Sequence, residues 1–211
     1  MQWTAMITML IDHVGIAWFS DSPVWRVIGR LAFPIYTYYV ALGMVRTKNQ
    51  RNYVMRLAML AAVSQIPFMI LFQTTGINVI GTFFVSAAAI YIFERYIADR
   101  FTRYASFTGV AFALELFAFD YGAYGLGLLL LYRYTKHIAM WSGHLAMNTA
   151  YWMLFGTPLQ MFSILPTLLF AFVFPGADDC RTSPTVPRWL WRAFYPAHML
   201  LLILLIVWTT Q

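Results

Sequence analysis

The chain has 211 residues, of which 61% are hydrophobic and 10% are charged, and its mean hydropathy is +0.66. Soluble domains carry about 25% charged residues, so this composition excludes an ordinary soluble protein and predicts an integral membrane protein. The formal net charge of +6 is explained by the basic loops of such a protein, without nucleic acid as a partner.

The apolar stretches are of helix length and lack the short alternating pattern of a membrane β-strand. We therefore predict an all-α fold, a polytopic bundle of roughly nine transmembrane helices in a single domain covering residues 1–211. The first stretch has no basic leader and no cleavage site, so we expect it to be a retained helix. The predicted spans are 2–20, 25–45, 53–73, 79–97, 105–119, 121–134, 137–155, 158–174 and 191–208.

The basic residues alternate between the predicted loops. Twelve of the fourteen Lys and Arg residues fall in one set of connections, and the other set carries only Arg26 and Arg30. Because Lys and Arg collect on the cytosolic side of membrane proteins, we predict a cytosolic N-terminus and an external C-terminus, with lipid around the bundle.

Charged side chains interrupt the first two spans. Asp12 and His13 lie within an apolar run, and Arg30 lies near the start of the second span. On insertion scales, an Asp or Arg costs about 2.5–3.5 kcal/mol at the centre of a membrane helix. We therefore expect these side chains to face a protein-lined interior and to mark a functional site. The structural alternative is a polar clamp between helices.

Asp12 and His13 are adjacent, so on a helix they point about 100° apart and need different partners. The candidate partners are Arg30, Asp120 and His198. A general-base role suits His13, because an imidazole exchanges protons near neutral pH.

The motif Tyr195-Pro196-Ala197-His198 is expected to open the last helix, with Pro196 in its first turn. His198 would then lie one or two turns inside the cytosolic end, either against a ligand or in interfacial packing. His144, followed by Asn148 one turn later, favours a polar contact between helices over a ligand site.

Two prolines are expected to interrupt helices. The ring of Pro34 would clash with the carbonyl of Arg30, four residues back, and Pro67 repeats this arrangement in the third span. Cys180 is the one cysteine, which excludes an intramolecular disulfide and a cysteine metal cluster, and no other metal motif is present.

The predicted cytosolic face could bind phosphate groups, although the positive-inside rule alone accounts for most of its charge. Arg56 and Arg192 are the better candidates because both are expected at helix ends. The full set of candidates is Arg46, Lys48, Arg51, Arg56, Arg181, Arg188 and Arg192.

An ordered set of motifs from about residue 5 to residue 203 resembles the TraX family, which is named for the conjugative pilin acetylase. The chain departs from the family pattern at Gln2, where a Lys is usual, and only loosely follows it at residues 78–82. The motifs are Met9-Leu-Ile-Asp-His-Val-Gly15, Gly29-Arg-Leu-Ala-Phe-Pro34, Arg46-Thr-Lys-Asn49, Ser64-Gln-Ile-Pro-Phe68, Asp120-Tyr-Gly-Ala-Tyr-Gly125 and Phe194-Tyr-Pro-Ala-His198.

The resemblance implies a protein of the bacterial cytoplasmic (inner) membrane that transfers acetyl from acetyl-CoA to the N-terminal amine of a pilin subunit, with an envelope glycan as the alternative acceptor. No metal is expected, because the sequence has no metal-ligand spacing. His13 would be the base, oriented by an acidic group such as Asp120, while Asp12 would pair with Arg30. His198 and Tyr195 would line the thioester end. The competing functions are a small-molecule transporter or flippase and a non-catalytic pilus or envelope assembly factor.

Overall fold

The computed structural model describes residues 1–19, 21–173 and 186–209. Within these ranges the chain is helical, apart from loops and one isolated β-bridge between Ile77 and Phe119. The all-α prediction is therefore confirmed for the described part of the chain. Cys180 and Arg181 lie outside the described residues.

From residue 1 to residue 155 the helices follow one another with connections of two to six residues, which is typical of a helical bundle. A 3₁₀ segment (Pro158–Ser163) and a π-helical segment (Leu169–Val173) flank α9. The α-helices are α1 (Gln2–Trp18), α2 (Pro23–Gly29), α3 (Ala32–Arg46), α4 (Gln50–Phe72), α5 (Val79–Tyr96), α6 (Arg100–Leu116), α7 (Gly122–Tyr134), α8 (His137–Phe155), α9 (Ile164–Leu168) and α10 (Arg188–Thr209).

Among the described residues, four helical segments are long and apolar enough to cross a membrane. Nine spans, and the orientation that follows from them, are therefore not supported. The helices α1 and α6 have 17 residues each and α7 has 13, fewer than the roughly 20 that a bilayer requires. The four segments are Pro23–Arg46, Gln50–Phe72, Val79–Tyr96 and Arg188–Thr209.

The chain divides into two compact units. Unit 1 comprises residues 1–39 and 131–211, and unit 2 comprises residues 40–130. A single domain over the whole chain stays a prediction.

In unit 1, two glycines allow α1 and α2 to pack closely. A Cβ on Gly15 would overlap the side chain of Trp25, and a Cβ on Gly29 would overlap the carboxyl group of Asp12. These positions require glycine for close approach, not for backbone conformation. They fix which side chains of α1 and α2 meet.

Of the three prolines discussed above, one coincides with a helix break and two lie inside continuous helices. The segment Pro23–Arg46 breaks at residues 30–31, between α2 and α3, as predicted from the clash of Pro34 with the Arg30 carbonyl. Pro67 lies inside the continuous helix α4, so the predicted second break is wrong. Pro196 also lies inside a helix, because α10 begins at Arg188 and not near residue 191 as predicted.

In unit 2, Asn78 joins α4 to α5. Its amide nitrogen donates to the Ala61 carbonyl at 2.8 Å and to Gln65 Oε1 at 2.7 Å, and its side-chain oxygen caps α5 by accepting from the N–H groups of Ile80 and Gly81. The side chain is fully buried. The hydrogen bonds of Asn78 therefore fix the geometry of this helical hairpin.

Candidate functional site

Two histidines meet inside unit 1. His13 Nδ1 lies 2.7 Å from His198 Nε2, and the rings stack with centroids 4.9 Å apart. His198 is buried and is the eleventh of the 22 residues of α10, about 15 Å from the start of that helix. It therefore lies near the middle of the span, deeper than predicted, because α10 begins earlier.

Neighbouring groups determine which imidazole nitrogens carry protons. His198 Nδ1 lies 2.6 Å from the Phe194 carbonyl oxygen, which can only accept, so Nδ1 must donate. In a neutral imidazole Nε2 then accepts, and the group 2.7 Å away, His13 Nδ1, must be the donor. His13 Nε2 consequently carries a lone pair. This is the arrangement of a general base held in one tautomer by a second residue.

Aromatic rings fix the orientation of His198 from the other sides. The Phe194 ring stacks on it with centroids 4.7 Å apart, and the Tyr195 ring meets it edge-on at 5.9 Å. Tyr195 is itself buried. The sequence analysis placed His198 and Tyr195 at one site, and in the structure their rings are in contact.

Asp12 forms an ion pair with Arg26, with 2.9 Å between Arg26 Nη1 and Asp12 Oδ1. The predicted pairing with Arg30 needs correction, although Arg30 still acts on Asp12 electrostatically. The physical reason is that Gly29 lets the Asp12 carboxyl pack directly on the last turn of α2, which carries Arg26.

The sequence analysis missed Arg26 as a site residue. A usable signal was present: Arg26 and Arg30 are four residues apart, so they share one helix face. That spacing identifies Arg26 and Arg30 as candidate ion-pair partners of Asp12 but does not indicate which of them forms the pair. Asp12 and His13 have different partners, as expected from their 100° separation.

Asp120 belongs to unit 2. Its backbone carbonyl accepts from the Thr82 hydroxyl at 2.5 Å, and its N–H donates to the Ile77 carbonyl at 2.8 Å. An interaction between the Asp120 carboxylate and His13 stays a prediction.

The candidate phosphate-binding residues are exposed at helix ends. Arg188 and Arg192 lie on the first two turns of α10 in unit 1. In unit 2, Arg46, Lys48 and Arg56 are exposed, and the Arg56 guanidinium lies 5.9 Å from the centroid of the Tyr53 ring. A role for these residues in cofactor binding stays a prediction.

His144 is buried in a separate polar network of unit 1. Its Nδ1 lies 2.6 Å from Thr167 Oγ1 and its Nε2 lies 3.2 Å from Ser163 Oγ. Asn148 donates to the same serine at 3.1 Å. Both ring nitrogens thus have protein partners, in agreement with the predicted contact between helices.

No group of three or more His, Cys, Asp or Glu residues that could hold a metal ion occurs in the described ranges 1–19, 21–173 and 186–209.

These features define an all-helical protein with membrane-length apolar helices and an imidazole pair buried within one compact unit. The chain matches the family model described as "TraX protein" over residues 1–207. It belongs to the TraX family.

One curated relative is "Uncharacterized protein RP591" of Rickettsia prowazekii (strain Madrid E), which is 26% identical over 139 residues. The match covers 63% of this chain and 53% of the relative, so the chain spans about half the length of that protein. No solved structure matches the chain.

Proposed function

We propose that this protein is an integral membrane acetyltransferase that moves an acetyl group from acetyl-CoA to an amine or hydroxyl acceptor. The observation that carries the proposal is the chain of hydrogen bonds from the Phe194 carbonyl through His198 to His13. It leaves a lone pair on His13 Nε2, beside a helix of membrane length. The resemblance to the conjugative pilin acetylase supports acetyl transfer as the reaction class, and we propose a pilin N-terminal amine or an envelope glycan as the acceptor.

In the proposed reaction, the acceptor nitrogen or oxygen attacks the thioester carbonyl carbon of acetyl-CoA. His13 Nε2 takes the proton of the attacking group as the new C–N or C–O bond forms. The carbon–sulfur bond then breaks, and the thiolate of CoA leaves with the proton returned by His13. No oxidant or metal is needed, since the reaction requires one base and close positioning of the two substrates.

A lone pair on His13 is useful only if the ring is held in a fixed orientation. His198 holds the His13 ring by accepting from Nδ1, and the Phe194 carbonyl holds His198. The ion pair of Asp12 with Arg26 fixes the neighbouring turn of α1 against α2. His198 and Asp12 are therefore proposed as positioning residues and His13 as the catalytic base.

The proposed topology explains why the base would lie beside a membrane span, the helix α10 that carries His198. Acetyl-CoA is cytosolic, whereas a processed pilin amine or an envelope glycan is external. The positive-inside rule places the basic start of α10 in the cytosol, where Arg188 and Arg192 on its first two turns would contact phosphate groups of CoA. Tyr195 and His198 follow along the same helix towards the thioester.

The test is transfer of labelled acetyl from acetyl-CoA to peptide amines and hexosamines by the purified protein. His13→Gln keeps a polar side chain but removes the base, so kcat should fall about 10²–10⁴-fold with little change in the KM for acetyl-CoA. His137→Asn is the matched control, because His137 is exposed and has a positive φ that Asn tolerates.

Near wild-type turnover in His13→Gln would refute the base role. Absence of both transfer and thermal stabilisation by CoA would favour an assembly factor. Transport of an envelope precursor by reconstituted vesicles, without acetylation, would favour a transporter or flippase.

A further inference from the structure

The side chain of Tyr36 presents a buried polar group that makes no hydrogen bond. Its ring is half-buried, but its hydroxyl oxygen is inaccessible to solvent and has no partner among the described residues. Leaving a buried hydroxyl unpaired destabilises the folded protein, because the group loses its hydrogen bonds to water without replacement. Phe would occupy the same volume without that cost, so the hydroxyl requires an explanation beyond packing.

Tyr36 packs against the helix that carries His198. Its ring stacks on Trp191 with centroids 4.5 Å apart, and Tyr39 meets the same indole edge-on at 5.5 Å. Trp191, Tyr195 and His198 are spaced i, i+4 and i+7, so they share one face of α10.

Along this face Trp191 precedes His198 by seven residues, or about 10.5 Å of helix rise. All of these contacts lie within unit 1. Tyr36 therefore packs against the same face of α10 that carries His198. Its contact residue, Trp191, is two turns nearer to the N-terminal end of that helix, where Arg188 and Arg192 lie.

We propose that the Tyr36 hydroxyl binds an amide group in the arm of an acyl-thioester donor, while Trp191 packs against the apolar links of that arm. The inference rests on the proposed function and adds a residue that selects the donor. The arm of acetyl-CoA carries two amides between its thioester and its phosphates. An amide-binding group beside Trp191, which precedes His198 by about 10 Å of helix rise and lies nearer to the basic end of α10, matches that order of chemical groups.

The inference also explains why an unpaired hydroxyl is retained. Its cost is present in the free protein and is removed when the donor amide supplies the partner. Tyr36→Phe should therefore leave the free protein as stable as the wild type, or more stable, while weakening donor binding. A hydroxyl with a merely structural role would give the opposite result, a less stable free protein.

The experiment compares wild type, Tyr36→Phe and Tyr104→Phe, the last a matched hydroxyl deletion on an exposed tyrosine of α6. Loss of one hydrogen bond should raise the KM for acetyl-CoA about 3- to 10-fold in Tyr36→Phe, with kcat nearly unchanged. The Tm of this variant without ligand should not fall, and the increase in Tm caused by CoA should be smaller. An acetyl thioester of mercaptoethanol, which has no amide, should not discriminate Tyr36→Phe from wild type.

Two outcomes overturn this inference alone: an unchanged KM for acetyl-CoA in Tyr36→Phe, as expected if no donor group reaches the hydroxyl, or a lower Tm of the free variant. An equal KM increase with the donor that lacks amides would also overturn it. A wild-type protein that neither transfers acetyl nor gains Tm with CoA would instead overturn the proposed function and this inference together.

Discussion

At the scale of single residues, the direction of the hydrogen bonds matters more than the identity of the two histidines. A carbonyl oxygen cannot donate, so Phe194 decides the tautomer of His198, and His198 in turn decides that of His13. A residue that only accepts at the position of His198 Nε2 should therefore preserve part of the activity.

This dependence predicts an order of activity among variants of His198. His198→Gln can place an amide oxygen near the position of Nε2 and still accept from His13 Nδ1. His198→Phe keeps a ring that can stack but has no acceptor, so kcat should fall about 10-fold further, the equivalent of one hydrogen bond. The measurement is the pH profile of kcat for both variants; equal activity in the two would contradict positioning through the hydrogen bond.

A second residue-scale prediction concerns Asp99, which caps α6. Its carboxylate accepts from the N–H and the hydroxyl of Thr102, both at 2.7 Å, and these hydrogen bonds hold the pKa of Asp99 below its usual range. Since the folded-state pKa is below the unfolded value of about 3.9, the charged cap stabilises the fold above that value. The stabilisation is lost as the pH falls through the folded-state pKa.

Asp99→Asn tests this sign, because Asn is also a good cap but carries no charge. The wild type should have the higher Tm at neutral pH, and the difference should vanish at a pH below the folded-state pKa. A Tm difference that stays constant across this range would mean that the charge of Asp99 is not involved.

The residues of the candidate site could be predicted only in part from the sequence. The insertion cost of Asp12 and His13 identified both as exceptional, and their adjacency required separate partners. Arg26 could not be preferred to Arg30, because both lie on one face of α2 and the choice depends on how closely α1 and α2 pack. That distance is fixed by Gly15 and Gly29 together.

At the scale of elements, Gly29 is the position where helix packing and the candidate site are coupled. Gly29→Ala would place a methyl group on the Asp12 carboxyl and should separate it from Arg26. We expect a loss of about 1–3 kcal/mol from overpacking together with lower activity. Gly109→Ala is the matched control, because nothing lies within 4 Å of the added carbon.

The two glycine variants are compared by thermal or denaturant unfolding in detergent. Gly109→Ala should be neutral or slightly stabilising, since Gly is a poorer helix former than Ala by about 0.8–1 kcal/mol. If Gly29→Ala is as stable and as active as Gly109→Ala, the close approach of α1 and α2 does not position Asp12.

The elements also show why a proline does not by itself predict a helix break. Pro34 lies in the first turn of α3, where backbone N–H groups have no helical partner, and Gly29 weakens the helix just before it. Pro67 and Pro196 lie in the interiors of α4 and α10. The surrounding apolar turns continue both helices despite the missing N–H.

At the scale of the whole molecule, composition determined the class of protein but not the number of spans. Hydropathy alone does not distinguish a helix that crosses a bilayer from a shorter one packed inside the protein. The stretch at 158–174 illustrates this, because residues Pro158–Val173 form three short helical segments of different type. The helix α8 is long enough, but its buried His144 and Asn148 make it less apolar.

The orientation of the helices in the membrane depends on the charges of the whole chain and cannot be decided from local contacts. Helix α5 offers a direct test, because exposed residues lie just beyond both of its ends: Thr75 before it and Ala98 after it. Arg95 at the end of α5, and Arg100 and Arg103 at the start of α6, flank the loop that contains Ala98. The positive-inside rule therefore places Ala98 in the cytosol and Thr75 outside.

In a Cys180→Ser background, Thr75→Cys should react with a membrane-impermeant maleimide in intact spheroplasts, whereas Ala98→Cys should react only after permeabilisation. The reverse pattern would show that the positive-inside rule does not set the orientation of α5. It would also remove the support that this rule gives to a cytosolic start of α10. Labelling of both positions in intact cells would mean that α5 does not cross the membrane, although its 18 residues suffice for about 27 Å.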